Sequence, residues 1–337
     1  MKKLSRLIAF ITTALICTFV LTACDPPGSD DNLKVAVVLA GATGDRSFYD
    51  SANEGLQNLV DTGEVNGTLI ECQNDASMFT TNLISAAESN DVVVAVGWEF
   101  WDVLTECAPQ LPDTKFIFVD NGLDGVGDNL LSITYAQNEG SFLVGYIAGK
   151  LTTTNKIGAV GGEDSETIND FIVGYEAGAK YANPDVKVQR QYAGTYEDPA
   201  RGKELALALY DSGCDIVFQV ASRTGEGVFD AAAERGMYAI GVDSDQKFIN
   251  PDVIICSMIK QVNLSIEQTV TALLEDGTWN GGEIWVADMS TGLIGVGYGD
   301  DSMTQQVSDE LKADVERIKA DIISGKIKVP TAFETAD

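Results

Sequence analysis

Short β-branched runs alternate with longer helical stretches along most of the chain, and the same order occurs twice. No other feature narrows the fold as much. Near-continuous Val/Ile runs suit strands buried on both faces, which crossover helices provide. In the first half, strands are expected at 33–40 (LKVAVVLA), 67–72, 91–97 (DVVVAVG) and 114–120 (TKFIFVD), with helices over 48–62, 78–89 and 100–109. The second half places strands at 156–162, 185–194, 214–221 and 237–243, with helices over 168–183, 198–213 and 225–236. Individual segments also correspond: SNDVVVAVGWEF answers to GCDIVFQVASRTG, and TKFIFVDNG to MYAIGVDSD. The expected class is α/β, with two Rossmann-like, doubly wound domains. A length of 337 residues suits two cores of moderate size.

The remaining pieces read as crossings between the halves. Residues 130–151 lead into the second half, 253–260 return to the first with a helix at 263–277, and 283–298 cross again. A polar helix over 302–326 closes the chain. This divides the chain into an N-terminal lobe of 33–133 plus 259–284 and a C-terminal lobe of 134–258 plus 285–337. Three crossings make a hinge, so a cleft between the lobes can open and close.

The first 32 residues are of another kind. MKKLSRL is a basic n-region, and IAFITTALICTFV is an apolar h-region too short for a stable membrane span. The stretch ends in LTAC, with the leucine, small residues and cysteine of a bacterial lipobox. The expectation is a lipoprotein signal peptide, 1–23, cleaved before a lipidated Cys24; the alternative is an ordinary secretory signal with a chance cysteine. DPPGSDDN, 25–32, reads as a solvated tether. The body would then work on the extracytoplasmic face of the cell membrane, held by lipid without spanning the bilayer.

The formal charge is −29, and loss of Lys2, Lys3 and Arg6 with the leader brings it near −32. Such a chain repels nucleic acid and anionic headgroups. There is no histidine, which removes Ser-His-Asp and Cys-His nucleophile pairs, histidine metal sites and the usual neutral-pH general base. That speaks against an enzyme. Six cysteines become four once Cys17 leaves and Cys24 is lipidated. Cys72, Cys107, Cys214 and Cys256 have no CxxC spacing, so zinc is not expected, while disulfides are permitted outside the cytoplasm. No metal and no cofactor are expected.

In paired α/β domains the carboxyl ends of both sheets face the shared cleft, where ligands bind. Asp120 and Asp243 end corresponding strands there. Two facing carboxylates can hold vicinal hydroxyls, an ammonium or a metal, or act as an acid–base pair; each can also merely cap its turn. Asp245 gives DSDQKF a faint likeness to a calcium loop, but the third oxygen ligand and the glycine are missing. GATGDRS lacks the lysine of a phosphate loop. The segment GDRSFYDSANEGL puts Asp45, Ser47, Phe48 and Tyr49 at the mouth of the first strand. Trp98 follows the third strand, and Phe218 lies in its counterpart. A strand phenylalanine is more often core than contact, yet rings on both sides of a cleft can clamp a planar group. A nucleoside satisfies rings and carboxylates together.

The segments GDRSFYDSANEGL, SITYAQNEGSFLVGYIAGKLT, KIGAVGGEDSETINDFIVGYEAGAKYANPDV and YAGTYEDPARGKELALALYDSGCDIVFQVASRTGEGVFDAA, with YAIGVDSDQ and SMIK, carry a resemblance across the mature chain. The chain resembles the basic membrane protein family of substrate-binding lipoproteins, whose best-known branch binds purine nucleosides for ABC import. The resemblance implies a type I periplasmic-binding-protein fold with ligand between the lobes. It implies that Phe48 and Phe218 sandwich the base, Asp120 meets the base and Asp243 the ribose diol, with Lys260 a further polar contact. Ser47 and Gly225 would line the pocket, with Asp45 beside them. Tyr49, and Ser222 with Arg223, depart from the family pattern. The implied partners are a nucleoside and the permease and ATPase of an ABC importer, with the protein itself a monomer. A binding protein for a sugar or other small polar solute, a ligand-sensing receptor component and a nucleoside hydrolase using Asp243 and Asp245 are the rival readings.

Overall fold

Val35 to Leu39 are inaccessible to solvent, as a strand covered on both faces requires. The computed structural model describes residues 32–333; the leader, Cys24 and most of the tether lie outside the described residues. The first sheet contains β1 (Leu33–Leu39), β2 (Val65–Glu71), β3 (Val92–Val96), β4 (Lys115–Val119), β5 (Leu130–Tyr135) and β11 (Ile284–Ala287), in the order β11-β5-β4-β3-β1-β2. The second contains β6 (Lys156–Gly161), β7 (Lys187–Tyr192), β8 (Ile216–Val220), β9 (Tyr238–Asp243), β10 (Ile254–Lys260) and β12 (Ile294–Gly297), in the order β12-β10-β9-β8-β6-β7. All pairings are parallel except β10 with β12. The two orders are the same, so the twice-written sequence folds twice on one plan, with only the edge strands differing: β11 runs parallel to its neighbour and β12 antiparallel. In each sheet the order reverses at the first strand of its half, and ligands bind outside the strand ends at such a switch point.

Sheet membership departs slightly from the lobe boundaries expected above. Residues 259–260 continue β10 of the second sheet, and 285–287 belong to β11 of the first. The helices are α1 (Phe48–Asp61), α2 (Ala76–Ser89), α3 (Trp101–Cys107), α4 (Gln137–Leu151), α5 (Glu166–Ala182), α6 (Pro199–Asp211), α7 (Glu226–Arg235), α8 (Val262–Asp276) and α9 (Asp309–Ile323). The last is shorter than the expected 302–326. Ser308 starts it, accepting the backbone N–H of Leu311 on its hydroxyl, and Asp309 and Glu310 occupy the positive first turn. All four described cysteines are buried and unbridged.

Helix α4 carries the chain from the first sheet to the second, and glycines let it lie very close to α5. A Cβ added at Gly178 would sit 1.9 Å from the carbonyl oxygen of Phe142, and one at Gly145 would sit 2.1 Å from that of Tyr175. Backbone cannot yield as a flexible side chain can. Gly178→Ala is therefore expected to destabilise the protein by about 1–3 kcal/mol through overpacking, despite alanine's better helix propensity. A urea-unfolding midpoint equal to that of the wild type would show that the helices can slide apart freely.

Candidate functional site

The loop after β1 is built around a buried carboxylate. Asp45 accepts backbone N–H bonds from Ser47 (3.0 Å), Tyr49 (3.1 Å) and Asp50 (3.0 Å), and the Ser222 hydroxyl donates to it at 2.8 Å. It thereby satisfies the orphan donors at the start of α1. Burial raises its pKa despite these bonds. Asp45, named above as a candidate contact, is thus a structural cap that ties α1 to the second half. Ser47, freed from capping, is fully buried and donates its hydroxyl to Asp243 Oδ2 at 2.5 Å.

That arrangement leaves Phe48 and Tyr49 facing a cleft of about 590 Å³, counting its open mouth. The two rings meet edge to face, with centroids 5.3 Å apart. Of the residues expected at the site, Phe48, Tyr49, Trp98, Asp120, Asp243 and Lys260 line this cleft. Trp98 stands at its rim, 39% exposed. The loops that contribute follow β1, β3, β4, β6, β7, β8 and β9, so both sheets build the site from their carboxyl ends.

Besides Asp45 and Ser47, two further expected residues do not line the cleft. Phe218 is inaccessible within β8 and packs on Tyr175, with ring centroids 5.1 Å apart. Both faces of that strand are covered, so its side chain packs in the core and does not line the cleft. Gly225 is buried behind Gln219, whose Oε1 would lie 1.8 Å from an added Cβ. Its lack of a side chain serves packing. Asp245 also proves structural, accepting the N–H groups of Lys247 and Gly299.

Asp120 and Asp243 each find a partner from across the cleft. Asp120, at the end of β4, is bonded by the ammonium of Lys260, which ends β10 in the other sheet. Asp243, at the end of β9, takes the hydroxyl of Ser47 from the first half. Both have left-handed backbones, with φ of 82° and 63°. A non-glycine residue held there costs about 1–3 kcal/mol, and such strain clusters at ligand clamps. The same strain at two corresponding strand ends is hard to ascribe to turn geometry alone.

Lys260 is only 1% exposed, and its Nζ lies 4.7 Å from the Tyr135 ring centre, 5.1 Å from Phe48 and 5.3 Å from Phe171. The lysine thus stands among three aromatic faces, a favourable setting for a desolvated cation. Burial lifts Asp243 to about 6, although the Lys260 charge and the Ser47 hydroxyl pull it down. Burial also lifts Glu99 to about 7, with Asp120 and Glu163 adding repulsion.

Sequence reasoning passed over Glu99, Ser165, Thr167, Phe171 and Tyr196, which line the cleft together with Ser222, one of the departures from the family pattern named above. The repeat contained a signal for several of them. Ser165 begins the first helix of the second half as Ser47 begins that of the first, and Thr167 and Phe171 follow within two turns. Glu99 carried no such signal.

Two matched sheets joined by three crossings, with one cleft lined by both, define a type I periplasmic-binding-protein fold. The family described as ABC transporter substrate-binding protein PnrA-like matches residues 32–332, and the chain belongs to it. The ABC transporter nucleoside-binding protein BmpA of Lactococcus lactis subsp. cremoris is 36% identical over 360 residues, covering 98% of this chain and 100% of that protein. Basic membrane protein A of Borreliella burgdorferi is 32% identical over 327 residues, covering 95% of each. The crystal structure of a solute-binding protein of an ABC transporter system from Aeropyrum pernix superposes with a TM-score of 0.79 at 27% identity, covering 88% of this chain and 94% of that one.

Proposed function

We propose that this substrate-binding protein captures a nucleoside, a purine nucleoside foremost, and passes it to the permease and ATPase of an ABC importer. The observation that carries the reading is the pairing of aromatic faces with strand-end carboxylates from both sheets in one cleft. Phe48 and Phe171 flank the planar group. Asp120, positioned by Lys260, and Asp243, positioned by Ser47, accept from ring N–H groups and ribose hydroxyls. The two lobes, one built on each sheet, close about the three crossings.

Bonds from Asn74 to Glu197 at 3.1 Å and from the Gln246 amide to the Arg46 carbonyl at 3.0 Å support that closure across the rim. Delivery takes place from a lipid anchor at Cys24; no described helix is long and apolar enough to cross a membrane. The protein binds as a monomer and does no chemistry on its ligand.

Calorimetric titration with guanosine, inosine, adenosine, cytidine, uridine and ribose tests this. Binding of one or more nucleosides with ribose silent is expected, with no free base released on incubation. Ribose binding alone would move the protein to the sugar binders, and free base would make it a hydrolase.

A further inference from the structure

Glu99 is a cleft residue to which the reading above gives no task. It sits in a turn between β3 and α3, and its Oε2 is buried without a hydrogen-bond partner. Gly97 makes room for it: a Cβ there would lie 2.5 Å from that oxygen. The charged and titratable groups around it are Asp120 from the end of β4, Glu163 after β6, Tyr196 after β7 and Tyr49 of α1. Lys260 and Asp243 line the same cleft, and that lysine is already engaged by Asp120. Glu99 therefore faces carboxylates and phenols with no cation of its own among the described residues.

We infer that Glu99 reads the edge of the bound ring and selects one that presents two adjacent N–H donors, as the N1–H and 2-amino groups of guanine do. This rests on the nucleoside reading above. A carboxylate matches such an edge with two parallel bonds; the backbone N–H of Glu99 itself already bonds the carboxylate, and Oε2 is left for the ligand's donors. Adenine offers an acceptor beside its amino group and meets a carboxylate with one bond only. Inosine keeps N1–H and lacks the second donor. The free acid holds its proton near neutrality, so a donor edge binds the ionised form and sends that proton to solvent.

The test is calorimetry on the full chain in detergent, at pH 6 and pH 8, with guanosine, inosine and adenosine as probes. Wild-type protein should prefer guanosine, and its affinity should rise about tenfold more between those pH values than that of Glu99→Gln. Asp243 titrates in the same site, so the difference between the two proteins carries the result. Glu99→Gln should lose about tenfold or more in guanosine affinity and shift its preference toward adenosine, whose edge an amide matches. At pH 7, guanosine binding should release protons, seen as a dependence of the heat on buffer ionisation, and the variant should release fewer. Glu99→Asp keeps the charge and draws it back, and should fall between the two. An unchanged preference and pH profile in Glu99→Gln overturns the inference while leaving nucleoside binding intact. A wild type that binds no nucleoside overturns both.

Discussion

Replacing Lys260 by methionine is expected to cost about 3–5 kcal/mol of stability and to reduce nucleoside binding below detection. Methionine fills much of the same channel between Tyr135, Phe48 and Phe171, so the packing loss is small. What it removes is the ammonium that bonds Asp120 inside the protein. Asp120 would then face the cleft with Glu99 and Asp243 nearby and no cation among them. Removing one partner of a buried pair is far more damaging than replacing both, because the other charge remains desolvated. A second substitution, Asp120→Asn in the Lys260→Met background, should therefore recover much of the stability while binding stays lost. Urea unfolding of these ligand-free proteins and of Asp120→Asn alone gives the coupling energy of the pair. If Lys260→Met unfolds at the wild-type midpoint, the ion pair contributes nothing and Asp120 is stabilised by another route.

The features most visible in the sequence were those that repeat. Buried parallel strands announce themselves as Val/Ile runs, and their order in two halves led directly to two sheets with one connectivity. The same repeat selected Asp120 and Asp243, and the structure places both in the cleft with the same unusual backbone. Single residues were harder to place. β8 is covered on both faces, so alternation along IVFQV does not say which side chains look toward the ligand. Asp45 stands three residues before α1, and its capping bonds go to backbone N–H groups that any residues could have supplied. Glu99 lies between Trp98 and Phe100 in a short turn. Its burial depends on Gly97 and on Tyr196 from the other half, a tertiary fact that no local pattern encodes.

Phe218 and Phe48 should separate cleanly when each is cut to alanine. Phe218 is fully enclosed in β8, against Tyr175 of α5, and its truncation leaves a cavity between sheet and helix. The expected loss is about 3–5 kcal/mol, with nucleoside affinity close to wild type wherever the protein remains folded. Phe48 is only partly buried, and one edge of its environment is the cleft. Phe48→Ala should cost less in stability and more in binding. It removes a stacking face, worth roughly 0.5–1.5 kcal/mol beyond area burial, and one of the three rings around Lys260. Thermal melts without ligand, followed by titration below the melting range, measure both quantities on the same samples. The reverse pattern, with Phe218→Ala stable but unable to bind, would put Phe218 in the clamp. Phe171 would then have to be core alone, although it now lines the cleft within 5.3 Å of the lysine Nζ. The two truncations thus decide which ring opposes Phe48, the point on which alternation in a buried strand gave no guidance.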